Sequence, residues 1–163
     1  MVLYFGLPTL LTRNPRDYGW RLPPKQHLKL YLTLYLFMLP ALIYYSHDPR
    51  FRATYPFFHH AREALPLLPV WWVAYAVMFV SLEFFYRGYV VFSLAPRFGL
   101  WALVISAFPY CLAHYAKPLP EMLGSFPAGL ALGFLSLRTG SIGGGVLVHL
   151  SVAFTMDLLV LLS

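Results

Sequence analysis

The stretch 67–94, LLPVWWVAYAVMFVSLEFFYRGYVVFSL, decides the fold. It is apolar and aromatic throughout except for two charged residues, Glu83 and Arg87. Roughly 20 apolar residues suffice for a helix to cross the hydrocarbon core of a bilayer, and this run is longer. An ionisable side chain inside such a span costs at least roughly 2.5–3.5 kcal/mol on insertion scales, so it marks a functional site by default. Glu83 and Arg87, at i and i+4, share one helix face. They form either a buried ion pair without chemistry or part of a reactive site.

The rest of the chain has the same character. Of its 163 residues, 60% are hydrophobic and 11% charged, whereas an ordinary soluble domain is about 25% charged. Four more apolar segments stand at about His27–Ser46, Leu100–Ala116, Met122–Leu137 and Ile142–Leu162. The expected architecture is all-α, a polytopic transmembrane bundle of about five membrane segments. Residues 1–163 form one domain, with 1–26 as an interfacial lead-in and 27–163 as the core. Pro8 interrupts the first apolar stretch and no small-x-small site follows it, so it is not read as a signal peptide. The arginines of the lead-in and Trp20 belong at headgroup level. APRFG (95–99) and KPLPE (117–121) read as turns, which leaves the fourth segment short for a span. Gly129 and Gly133 have GxxxG spacing and predict close helix packing. GSIGGG (140–145) has no P-loop lysine and reads as a flexible turn that admits close packing or a substrate.

The net charge is +6. Its basic residues are scattered between apolar segments, whereas a nucleic-acid surface needs a clustered patch, so no nucleic-acid partner is expected. With the N-terminus cytoplasmic, Arg13, Arg16, Arg21, Lys25, Lys29, Arg97 and Arg138 lie inside and Arg50, Arg52, Arg62 and Lys117 outside, which favours that orientation. Cys111 is the single cysteine, so no internal disulfide exists. His59 and His60 read as part of a solvated loop, as does the Lys117–Glu121 pair.

The buried polar residues are Glu83 and Arg87 on the second segment, His114 on the third, and His149 and Asp157 on the fifth. From helix rise, Glu83 lies about 18 Å and His114 about 21 Å from the turn between their segments. His149 lies about 10 Å and Asp157 about 22 Å into the last helix from the same side. A tilt brings these depths together. A glutamate facing two histidines is an acid/base constellation. Tyr110, one turn before His114, either orients it or packs. Glutamate plus two histidines is also a zinc donor set. Because HExxH is missing and the donors come from three helices, no cofactor is expected, with zinc as the alternative.

At these residues the chain resembles the CPBP family, the CAAX-protease and bacteriocin-processing (Abi) intramembrane proteases. The family's EExxxR motif reads LEFFYRG (82–88) here, FxxxH reads YCLAH (110–114), and HxxxN/D reads HLSVA (149–153). LRTGSIGGGVLVH (137–149) and RDYGWRLP (16–23) resemble flanking segments of the family.

The resemblance implies a glutamate that, helped by a histidine, activates water inside the membrane. A second histidine and the asparagine stabilise the oxyanion, and the arginine braces the glutamate. Carried onto this chain, the catalytic set is Glu83, His114 and His149, supported by Arg87, Tyr110 and Asp157. The implied activity is endoproteolysis of a membrane-anchored protein or peptide near its C-terminal membrane segment, with the lipid bilayer as the other partner. The implied location is the bacterial inner membrane. Two positions depart from the pattern. Leu82 replaces the first glutamate, and Ala153 replaces the Asn/Asp, for which Asp157 one turn later is the nearest substitute. A catalytically inactive homologue acting as a helix-binding or immunity module is therefore the alternative. A proton-linked transporter is a further rival, disfavoured by the short chain without paired repeats.

Overall fold

The computed structural model describes residues 14–58 and 64–162. Arg13 and the signal-peptide question of the first residues, and His59, His60, Arg62 and Glu63, lie outside them. Among the described residues there is no strand, and seven α-helices follow one another. They are α1 (Leu28–Tyr45), α2 (Pro49–Thr54), α3 (Leu68–Glu83), α4 (Val91–Phe98), α5 (Trp101–Leu112), α6 (Leu119–Thr139) and α7 (Gly143–Leu161). A π-helical segment, Phe84–Val90, joins α3 to α4 without a break. The resulting rod of residues 65–98, the α1 region (25–45) and α7 are long and apolar enough to cross a membrane.

Three boundaries differ from the expectation. Ala95–Phe98 is helical, and the chain turns at Gly99, whose φ of 55° ends α4. Proline near the start of a helix loses no intrahelical hydrogen bond, so α6 begins at Leu119 with Pro120 in its first turn. The fourth segment is therefore 21 residues long, not short. Conversely α5 stops at Leu112 after 12 residues.

The glycines of α6 act as predicted. A Cβ on Gly129 would stand 3.2 Å from the Ala107 Cβ and from the Tyr110 ring, and one on Gly133 would stand 3.0 Å from Leu103. The missing side chains let α5 lie close along α6. Helix α1 is tied in by hydroxyl pairs, Tyr31 to Thr139 at 2.9 Å and Tyr35 to Thr155 at 2.8 Å. Its other face is apolar and exposed, including Leu32, Leu36 and Phe37.

The described part of the lead-in, residues 14–26, is a docked strap. The Gly19 carbonyl accepts from the Ile142 N–H at 2.9 Å and the Arg21 carbonyl from the Gly143 N–H at 3.2 Å. Arg21 Nε donates to the Gly140 carbonyl at 2.6 Å, and the Trp20 ring meets Phe84 edge-on at 5.1 Å. GSIGGG is thus a close-packed corner under the strap, with Ser141, Ile142, Gly144 and Gly145 buried.

Gly129→Leu is expected to destabilise the fold by about 1–3 kcal/mol through overpacking. Gly124, in the same helix, has nothing within 4 Å of an added Cβ. Gly124→Ala is expected to be neutral or stabilising by up to about 1 kcal/mol. Unfolding of both variants in detergent checks the contrast.

Candidate active site

The π-helical segment lies between Glu83 and the end of the charge motif, and Arg87 sits inside it. Widening a helix to i→i+5 bonding breaks the regular ladder, and such segments recur at functional sites. In an apolar interior the disturbed carbonyls need other donors. Ser106 on α5 donates to the Tyr86 carbonyl at 2.8 Å, and Ser136 on α6 approaches the Arg87 carbonyl at 3.4 Å. The neighbouring helices thereby hold the segment in place.

Glu83 and Arg87 are almost fully buried, at 0% and 1% exposure. Arg87 Nη1 lies 3.4 Å from Glu83 Oε1. The same oxygen lies 3.1 Å from His149 Nδ1. Glu83 Oε2 is buried without a hydrogen-bond partner. It stands against Gly145, one turn before His149, where an added Cβ would come within 2.5 Å of it. The Arg87 guanidinium carbon lies 3.7 Å from the centre of the Tyr110 ring, a cation–π contact. The Tyr110 hydroxyl is 3.5 Å from His149 Nε2, and the His149 ring lies 4.2 Å from Phe79, tilted by 31°. Three helices and the π segment thus join a carboxylate, a guanidinium, an imidazole and a phenol in one buried chain of contacts.

His114 is placed differently. Its Nδ1 donates to the Tyr110 carbonyl at 2.9 Å, which caps the C-terminus of α5. Its ring meets Tyr110 at 4.6 Å. The structure thus sets His114 against Tyr110 and His149 against Glu83. Tyr110 serves both expected roles, since it packs on His114 and fixes it through its carbonyl. Asp157 is fully buried but accepts from Trp72 Nε1 at 3.1 Å, on the α3 side. Leu82 is half-buried, and Ala153 packs with Tyr75 and Phe79.

Sequence reasoning missed a second polar group. Lys117 Nζ donates to the Tyr55 hydroxyl at 2.6 Å, and Tyr55 donates to Glu121 Oε1 at 2.6 Å. Lys117 also lies 3.5 Å from Glu121 and 3.5 Å from the centre of the Phe57 ring. The expected solvated pair is instead half-buried, at 20% and 22% exposure. The i, i+4 spacing of Lys117 and Glu121 was visible in the sequence, but the tyrosine that joins them lies 62 residues away.

Burial pushes the Lys117 amine down to about 8, against the opposing pull of Glu121 and Asp157. The folded chain therefore loses this proton before the unfolded chain does, whose value is 10.5. Stability is expected to rise with pH from about 8 towards 10, where Tyr55, its phenol pushed up by burial and Glu121, begins to oppose it. Unfolding midpoints across that range check this, and Lys117→Met is expected to flatten the rise. Gly145→Ala is expected to displace the Glu83 carboxylate and lower both stability and any activity that depends on it. Thermal unfolding beside a cleavage assay measures the two effects.

Among known proteins, the family model described as type II CAAX prenyl endopeptidase Rce1-like matches residues 64–155, more than half of the chain. The matched region holds Glu83, Arg87, Tyr110, His114 and His149; Asp157 lies beyond it. No curated protein and no solved structure matches the chain. The family is one of membrane proteases, and the apolar helices agree with an integral membrane protein. The chain belongs to the type II CAAX prenyl endopeptidase Rce1-like family.

Proposed function

We propose that the chain is an intramembrane endopeptidase of the glutamate/histidine type that cuts a membrane-anchored protein or peptide near its C-terminal membrane segment. The observation that carries this reading is the 3.1 Å contact between His149 Nδ1 and Glu83 Oε1 inside the bundle. A carboxylate on Nδ1 holds the proton there and leaves Nε2 as the basic nitrogen, the orienting logic of a histidine–carboxylate pair. The sequence suggests Glu83 as the direct base and His149 as an oxyanion donor. The geometry favours another division of labour, because Glu83 Oε1 is already shared by Arg87 and His149. Water gives its proton to His149 Nε2 while its oxygen attacks the peptide carbonyl carbon. The proton then passes to the departing amine as the C–N bond breaks. Arg87 keeps Glu83 ionised, and His114 assists from the Tyr110 side.

The proposed chemistry uses no metal. Glu83 and His149 offer two donors, and among the described residues no group of three His, Cys, Asp or Glu side chains is arranged to hold an ion. The resemblance supports a bacterial inner membrane as the location, and the distribution of basic residues supports a cytoplasmic N-terminus.

Leu82 and Ala153 favour a second reading, an inactive module that binds a partner helix, since both put apolar side chains where the motifs carry polar ones. Cleavage of a co-expressed membrane-anchored substrate at matched protein levels separates the two. Glu83→Gln and His149→Ala are each expected to lower cleavage by about 10²–10⁴-fold. His114→Ala is expected to cost less activity but to lower stability as well, because it removes the α5 cap. Arg87→Lys is expected to retain part of the activity, since the charge survives without the planar fork. Cleavage is expected to survive a chelator. A parent without cleavage, still capturing the substrate helix, establishes the second reading instead.

A further inference from the structure

The Tyr110 hydroxyl stands beside the nitrogen that the proposed reaction uses as its base. It is 3.5 Å from His149 Nε2, and the residue is 4% exposed. With Nδ1–H committed to Glu83, Nε2 is an acceptor, so the phenol O–H donates to it. At this length the bond is weak, and catalytic contacts of this kind tighten when substrate arrives. The Arg87 guanidinium on the face of the same ring draws electron density from it, which strengthens the O–H as a donor. The motif that this chain resembles has a phenylalanine at this position, without a hydroxyl. The same motif set has an Asn or Asp at position 153, where this chain has Ala153. Position 153 is one turn beyond His149 on α7 and is closed by Tyr75 and Phe79. One polar group beside His149 is lost and another is gained from a different helix.

We propose that Tyr110 is the oxyanion donor of this chain and replaces the side chain missing at position 153. This rests on the endopeptidase reading above. As water attacks, its proton moves to His149 Nε2 and the carbonyl π pair moves onto oxygen. The Tyr110 O–H, released from Nε2, then donates to that oxygen. When the carbonyl re-forms, the C–N bond breaks and the amine takes the proton from Nε2. Tyr110 is neither oxidised nor deprotonated in the cycle.

The test compares the parent with Tyr110→Phe in cleavage, stability and the His149 nitrogen resonance. Phenylalanine keeps the ring against Arg87, Tyr86 and His114, so the fold persists. Tyr110→Phe is expected to lower kcat by about 10²–10³-fold with KM little changed, the usual cost of one oxyanion donor. The His149 Nε2 nitrogen resonance is expected to shift in Tyr110→Phe without substrate, because its hydrogen bond is gone. An active parent whose Tyr110→Phe variant cleaves equally well overturns the assignment while leaving the endopeptidase reading intact. Lost activity that tracks lost stability makes Tyr110 structural and also overturns it. A parent that cleaves nothing overturns both.

Discussion

A carboxylate stripped of water in an apolar bundle is the constraint around which this molecule is arranged. Desolvating Glu83 alone is costly enough that an unpaired glutamate would not stay charged there. Arg87 supplies the opposite charge, and His149 supplies a hydrogen bond to the same oxygen. Removing either partner leaves the other stranded, so the site and the fold share their stability. The Arg87 charge is spread further across the face of Tyr110, which neutralises it without adding another formal charge to the interior.

That arrangement asks unusual things of the backbone. The chain carrying Glu83 and Arg87 leaves α-helical bonding for one π-helical stretch, and serines on α5 and α6 cover carbonyls there. The opposite wall has to come close, and glycine supplies the clearance: Gly145 against the carboxylate, Gly129 against Tyr110. These are local compromises of helix propensity, tolerated because packing against neighbours contributes more than propensity does. The same region carries the family motifs, so the departures from regular helix and the chemistry coincide.

The fold class was legible because apolar runs of membrane length, broken by few charges, have little alternative to helices. The Glu83–Arg87 pairing was legible from spacing alone. The extra helical turn at Leu119 was obscured by Pro118 and Pro120, which signal a loop as readily as a helix start. The π segment was not legible, since FFYRGYV reads like the apolar sequence around it and the serines that bond its carbonyls lie on other helices. Which histidine meets Glu83 depends on how α7 packs beside α3, and the spacing of residues along the chain does not give that placement. The Tyr55–Lys117–Glu121 group escaped for the same reason: its members gain meaning only when α2 meets the start of α6.

The strap has a consequence for the order of assembly. Its carbonyls on Gly19 and Arg21 find their donors on Ile142 and Gly143, so the first described residues and the last helix close a loop around nearly the whole chain. Glu83 likewise waits for His149, 66 residues downstream. Contacts of such long sequence separation form late, because the intervening chain must be ordered first. A ribosome feeding this protein into a membrane therefore releases Glu83 and Arg87 well before the histidine that completes the site. The Glu83 carboxylate has no imidazole beside it until the final helix has joined the bundle, and a truncation anywhere ahead of α7 leaves it without that partner.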